Sequence, residues 1–136
     1  MRDPDRAPSA EPLKNKKTGF AHFLAAAQYS RQGFQRLISE AAFRQELAAL
    51  AIGLVLFAVV GASAMQFVGL IVLMAILFAV EAINTAIEEL VDRVSPEISV
   101  VGRHAKDLGS FAVFCLLCAN GLFALYVVVR QIWMST

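Results

Sequence analysis

The chain has 136 residues, 58% of them hydrophobic, well above the roughly 45–50% apolar share of an ordinary soluble domain, so a water-soluble globule is excluded and a bilayer is the natural solvent. That length accommodates one domain. A formal net charge of +1 excludes the concentrated basic face on which nucleic-acid binding depends.

Residues 1–17 hold Pro4, Pro8 and Pro12 together with many charges, a composition that reads as a disordered tail. No apolar run follows directly, so the segment is not expected to be a signal peptide. Lys14, Lys16 and Lys17 mark the cytoplasmic side and suit anionic headgroups. The remainder, 18–136, is expected to be the membrane domain.

A surface helix is predicted over 20–38. At about 100° per residue, Phe20, Phe23, Leu24, Ala27, Phe34 and Ile38 gather on one side, with His22, Tyr29, Gln32 and Arg36 on the other. That pattern suits a helix lying in the membrane interface with its aromatic face down.

No Asp, Glu, Lys or Arg occurs from Leu47 to Val80, or from Leu108 to Val129. The second run fits one span. A single helix over the first would be roughly 50 Å long against a hydrocarbon core of roughly 30 Å, so it must fold back. The turn is placed at Gly61-Ala-Ser-Ala-Met-Gln66, where small and polar residues cluster. Spans are therefore expected near 42–61, 66–91 and 106–130, giving an all-α integral membrane protein of one surface helix and three transmembrane helices.

Arg2, Arg6, Lys14, Lys16, Lys17, Arg31, Arg36 and Arg44 precede the first apolar run, and Arg93, Arg103 and Lys106 lie between spans two and three. The first hairpin has no basic residue and the C-terminal tail only Arg130. By the positive-inside rule the N-terminus and the second loop are cytoplasmic, with Trp133 in the opposite interfacial belt.

The second span carries the informative pattern. With Glu81 at zero, helical geometry puts Asn84 at about −60°, Glu88 at about −20° and Asp92 at about +20°, one narrow polar face on an otherwise apolar helix. A carboxylate at span depth costs about 2.5–3.5 kcal/mol on insertion scales, so such residues face protein or water and usually have a role. Glu89 and Arg93 fall off that face and read as ordinary interfacial charges. Glu40 and Glu46 at the start of span one, and Glu97, Lys106 and Asp107 around the second loop, share the membrane level of the stripe.

Acids so placed can hold a divalent cation through oxygen, supply a general base or relay protons. Acids for Mg²⁺, a lysine for phosphate and a further carboxylate for a hydroxyl proton are what phosphoryl transfer needs. The sequence has neither a G-x-x-x-x-G-K-[ST] phosphate loop nor a protein-kinase catalytic loop.

Three runs carry a resemblance: Glu40-Ala-Ala-Phe-Arg-Gln-Glu46; Glu81-Ala-Ile-Asn-Thr-Ala-Ile-Glu88 with Val91-Asp92-Arg93; and Ala105-Lys-Asp-Leu-Gly-Ser110. Together they resemble the prokaryotic diacylglycerol kinases over roughly residues 18–130. The resemblance implies a homotrimeric bundle in the bacterial inner membrane, with active sites shared between protomers. It further implies transfer of the ATP γ-phosphate to diacylglycerol, giving phosphatidic acid at the cytoplasmic face. By similarity Glu81 is the base, Asn84 orients the reacting groups, and Glu40 and Glu88 hold Mg²⁺. Tyr29, Glu40, Glu88, Glu97, Ile98, Ser99, Lys106 and Asp107 match nucleotide contacts. His22, Ala41, Ala42, Phe43, Arg44, Gln45, Glu81 and Ser110 match lipid contacts. The chain departs from the family pattern at His22, where many members carry Arg, and at Ile98 and Ser99, where an aromatic residue and a His are common.

Alternative readings are a kinase of the same fold acting on undecaprenol, a proton-coupled transporter using Glu81, and a non-catalytic assembly subunit. Cys115 and Cys118 on span three are expected to be small buried fillers. Asn120 is expected to make an interhelical hydrogen bond.

Overall fold

The computed structural model describes residues 19–95, 97 and 99–135, with the side chains of 20–22 and 135 outside the description, and every regular element among them is a helix. The expected tail at 1–17 and Ile98 lie outside the described residues, as does the side chain of His22. In chain order the helices are α1 (Phe20–Leu37), α2 (Ala41–Val59), α3 (Ala64–Val94) and α4 (Val100–Ser135). Three of them, α2, α3 and α4, are long and apolar enough to cross a membrane. Two compact units are distinguished, Met1–Gln32 and Gly33–Thr136. In the first, Phe23, Leu24 and Tyr29 of α1 are all exposed, as suits a helix in an interface.

In the second unit the chain leaves α1 through a short turn at 38–40, where the Arg44 guanidinium donates to the carbonyls of Ser39 at 2.7 Å and Ile38 at 3.3 Å. A basic side chain so placed satisfies carbonyls that the helix end leaves unpaired.

The α2–α3 turn is shorter than the run from Gly61 to Gln66 suggested. Gly61 takes the left-handed region at φ 71°, and Ala64 is already helical. Ser63 and Gln66 cap α3 reciprocally: the Ser63 hydroxyl accepts from the Gln66 backbone N–H, and the Gln66 side-chain oxygen accepts from the Ser63 N–H at 2.7 Å. This S-x-x-Q pattern is a helix-start signal that outweighs the small-residue composition of the segment. Gln131 of α4 closes the same end by donating to the Gly61 carbonyl at 2.8 Å and to Gln66 Oε1 at 3.2 Å. At the other end α4 starts at Val100, ahead of the expected 106, because Ser99 Oγ accepts from the Gly102 N–H at 3.0 Å and caps it.

The central element is α3, which packs on α4 and, over a shorter stretch, on α2. Phe57, Leu70, Met74, Leu77 and Val127 form the core. A Cβ on Gly69 would stand 2.7 Å from the Phe123 ring, so the α3–α4 approach there is close. Small residues at a helix interface allow such packing, which drives association where lipid offers no hydrophobic gain. Phe34, Phe43 and Phe78 form a second cluster of edge-on rings, with centroids 5.9 and 5.0 Å apart. Asn120 donates to the Leu73 carbonyl of α3 at 3.4 Å and to Leu116 at 2.9 Å, the expected interhelical bond. The cysteines differ from expectation, since Cys115 and Cys118 are exposed on the outer face of α4.

With 31 residues, α3 is about 46 Å long at about 1.5 Å per residue. That exceeds a hydrocarbon core of roughly 30 Å, so one end of α3 projects past it. The C-terminal end carries Glu88, Glu89, Asp92 and Arg93, whose charges suit water, so the overhang belongs at that end.

Candidate active site on the central helix

Residues three, four and seven positions apart on an α-helix share a face. Glu81, Asn84 and Glu88 obey that rule, and packing of α3 against its neighbours buries the first two. Asn84 Nδ2 donates to Glu88 Oε1 at 2.9 Å. The Asn84 Oδ1 is buried and has no hydrogen-bond partner among the described residues. It lies against Gly109 of α4, where a Cβ would come within 2.1 Å of it. Any side chain there would displace the Asn84 amide or part the two helices.

Glu40, Glu81, Asn84 and Glu88 meet around one open cleft of about 310 Å³, whose wall also includes Ala42, Thr85, Ser110 and Phe114. The field of Glu88 and Glu40 reaches Glu81, and that of Glu81 reaches Glu46. No basic side chain is paired with Glu46, Glu81 or Glu88 among the described residues, so the cleft is rich in uncompensated negative charge. The sequence assigns Glu46 no role, yet it is 4% exposed and its Oε2 lacks a partner among the described residues. Its position, six residues after Glu40 on a span, was the only signal.

A second cleft of about 220 Å³ is lined by Asp92, Glu97, Ser99, Arg103, Lys106 and Asp107, among others. Lys106 Nζ is paired with Asp92 Oδ1 at 2.5 Å, which ties the start of α4 to the end of α3. The Glu97 carbonyl accepts from Ser95 Oγ at 3.1 Å and from the Ser99 N–H at 2.7 Å. The structure therefore divides the expected residues between two places. Glu40, Glu81, Asn84, Glu88, Ala42 and Ser110 line one cleft, and Glu97, Ser99, Lys106 and Asp107 the other.

The remaining expected residues are placed as follows. Ala41 and Gln45 are exposed on the first turn and a half of α2, Arg44 is engaged with the preceding turn, and Phe43 is 1% exposed inside its aromatic cluster. Tyr29 is exposed on α1 in the first unit. Glu89, which reads as an ordinary interfacial charge in the sequence, is ion-paired with Arg36 at 2.5 Å. Arg36 also holds Glu40, and that carboxylate raises the Arg36 pKa.

Whether the residues fit a divalent metal follows from the donor set. Among the described residues no group of three or more His, Cys, Asp or Glu side chains is gathered to hold an ion by itself. Two carboxylates face one cleft: Glu40, paired with Arg36 through one oxygen, and Glu88, which has no basic partner among the described residues. Magnesium is typically bound by one or two carboxylates, with waters and substrate phosphates completing the shell, so this pair fits Mg²⁺ arriving with a nucleotide.

Three apolar spans with a carboxylate cleft at one end define a helical membrane protein with an interfacial acidic site. The prokaryotic diacylglycerol kinase profile matches residues 28–128. A Sinorhizobium protein named diacylglycerol kinase is 58% identical over 120 residues, covering 88% of this chain and 88% of the relative. The diacylglycerol kinase of Escherichia coli K12 is 39% identical over 102 residues, 74% of this chain and 84% of the relative. That of Haemophilus influenzae is 36% identical over 110 residues, 79% and 92% of the two chains. The chain belongs to the prokaryotic diacylglycerol kinase family.

Proposed function

We propose that the protein transfers the γ-phosphate of ATP to the free hydroxyl of diacylglycerol, releasing ADP and phosphatidic acid. The observation that carries this reading is the meeting of Glu40, Glu81, Asn84 and Glu88 in one cleft near the end of a membrane span. A lipid hydroxyl can approach from the bilayer and a nucleotide from the aqueous side.

In this reading Glu81, the most buried acid of the cleft, takes the proton of the attacking hydroxyl; general-base catalysis of this kind contributes about 10²–10⁴-fold. The hydroxyl oxygen forms the new bond to the γ-phosphorus while the bond to the bridging β,γ oxygen breaks. Asn84 orients the reacting groups through Glu88, which its amide holds in place. Glu40 and Glu88 would hold Mg²⁺, which would supply neutralisation of the phosphate charge. Lys106 contributes a positive charge to the nucleotide side, with Glu97, Ser99 and Asp107 beside it. Tyr29 and Ile98 are assigned to the nucleotide, and His22, Ala41, Ala42, Phe43, Arg44, Gln45 and Ser110 to the lipid, on the family resemblance.

We further place the protein in the bacterial inner membrane with its N-terminus cytoplasmic, on the asymmetry of Lys and Arg. A homotrimer is part of the proposal. Its support is that the acidic cleft is open, and acids facing hydrocarbon are costly unless protein or water covers them. A neighbouring copy supplies such cover.

The test is a vesicle assay with radiolabelled ATP and, side by side, diacylglycerol and undecaprenol. Transfer to diacylglycerol that is lost in Glu81→Gln supports the reading. Transfer to undecaprenol alone, or no transfer by a folded protein, overturns it.

A further inference from the structure

Arg36 occupies the last turn of α1 and reaches in two directions. One guanidinium nitrogen donates to Glu40 Oε1 at 2.5 Å and to Ser39 Oγ at 2.7 Å, while the other pairs with Glu89 Oε1 on α3 at 2.5 Å. Three elements are thereby tied at one point: the end of α1, the start of α2 and the overhanging part of α3. Glu40 is the N-cap residue of α2, but its side chain makes no capping bond. A carboxylate at an N-cap ordinarily accepts from the first free N–H groups of its own helix. Here Arg36 draws it away, and Glu40 also lines the cleft with Glu88.

We infer that Arg36 and Glu89 act together as positioning residues that orient the Glu40 carboxylate toward a divalent cation in the cleft. The inference rests on the reading of Glu40 and Glu88 as the cation-holding pair. Arg36 occupies only one oxygen of Glu40, leaving the other to ligate a cation. Carboxylates that bind metal are commonly held this way by an outer partner, whose loss costs about 10- to 100-fold in affinity or activity.

Glu89 has a distinct part. An arginine beside a metal-binding carboxylate by itself neutralises it and repels the cation. With Glu89 on the opposite end of the guanidinium, the three charges sum to one negative, so Glu40 is fixed in direction without losing its attraction for a cation. All three side chains are part exposed, so screening by water keeps each pair weak as a source of stability. Their contribution lies in aiming Glu40.

The experiment measures Mn²⁺ binding to the full chain in detergent by electron paramagnetic resonance, with a non-hydrolysable ATP analogue, alongside the Mg²⁺ dependence of lipid phosphorylation. Arg36→Gln is expected to weaken Mn²⁺ binding about 10- to 100-fold. The half-saturating Mg²⁺ concentration rises correspondingly, by more than the turnover at saturating Mg²⁺ falls. Arg36→Lys, which keeps the charge but lacks the two-ended fork, restores part of the affinity. Glu89→Gln shifts binding in the same direction, and the double variant is no weaker than Arg36→Gln, since coupled residues are not additive.

A folded Arg36→Gln protein that binds Mn²⁺ as the unaltered chain does overturns the inference. Should Arg36→Gln fail to fold, Glu89→Gln decides, and unchanged binding there overturns it equally. If the unaltered chain with the nucleotide analogue binds no Mn²⁺, or if Glu88→Gln leaves its binding intact, the cation-holding pair itself is misassigned. The inference then falls with that reading, a result distinct from failure of the Arg36 variants alone.

Discussion

Asn84 and Glu88 are joined at 2.9 Å along one face of α3, the asparagine amide donating to the carboxylate one turn further on. The bond fixes an acid at the mouth of the cleft from a residue buried within it. A hydrogen bond to a charged group is worth about 1.5–3 kcal/mol. Asn84→Ala is therefore expected to lower turnover about 10- to 100-fold and to raise the Mg²⁺ requirement. Steady-state kinetics across a Mg²⁺ titration check it, and wild-type constants would remove Asn84 from the reaction.

Glu81 and Glu88 are separable by what they affect. Glu81→Gln should reduce phosphate transfer about 10²–10⁴-fold while nucleotide binding persists, as expected for loss of a base. Glu88→Gln should instead move the Mg²⁺ titration to higher concentration. Comparable nucleotide affinities with divergent Mg²⁺ curves are the signature; identical curves for the two variants would merge their roles.

Gly109 sets the space that Asn84 occupies. A methyl group there would stand 2.1 Å from Asn84 Oδ1, so Gly109→Ala must push the asparagine aside or separate α3 from α4. Overpacking of this kind costs about 1–3 kcal/mol. We expect a lower unfolding temperature together with at least a tenfold loss of turnover, about 1.4 kcal/mol in barrier terms. In the Asn84→Ala background the same substitution should cost less, because the contact it disturbs is gone. Additive losses would place the effect of Gly109 elsewhere.

Cys115 and Cys118 face outward from α4 and take no part in the core. Replacing both with Ala should leave turnover within about twofold and thermal stability within about 0.5 kcal/mol, the range for substitutions away from special features. A larger loss, measured in the vesicle assay, would assign that face to contact with a neighbouring copy.

Arg36 and Glu89 show where reading along the chain stops. The pair is separated by α2, two turns and most of α3, and no periodic signal links an arginine at the end of α1 to an acid off the polar face of α3. Glu46 is a milder case: its place on a span was visible, but its burial depends on how α2 leans on α3. Gly109 stands between Leu108 and Ser110, and nothing along the chain shows that Asn84 rests on it. The start of α3 was misplaced for a different reason. Small residues suggest a turn by composition, whereas the Ser63–Gln66 cap is a reciprocal pair of bonds that composition does not weigh.

The sequence by itself determined the number of spans, their order and the face of α3 that carries Glu81, Asn84 and Glu88. Hydropathy over the width of a bilayer and a period of 3.6 residues are local properties, written along the chain and independent of what packs where. Only the tertiary structure decided which of the acids share a cleft, that Glu89 is held by Arg36, and that α4 must present a glycine to Asn84. Those facts are distances between side chains far apart in sequence, and such distances exist only once the helices have closed on one another.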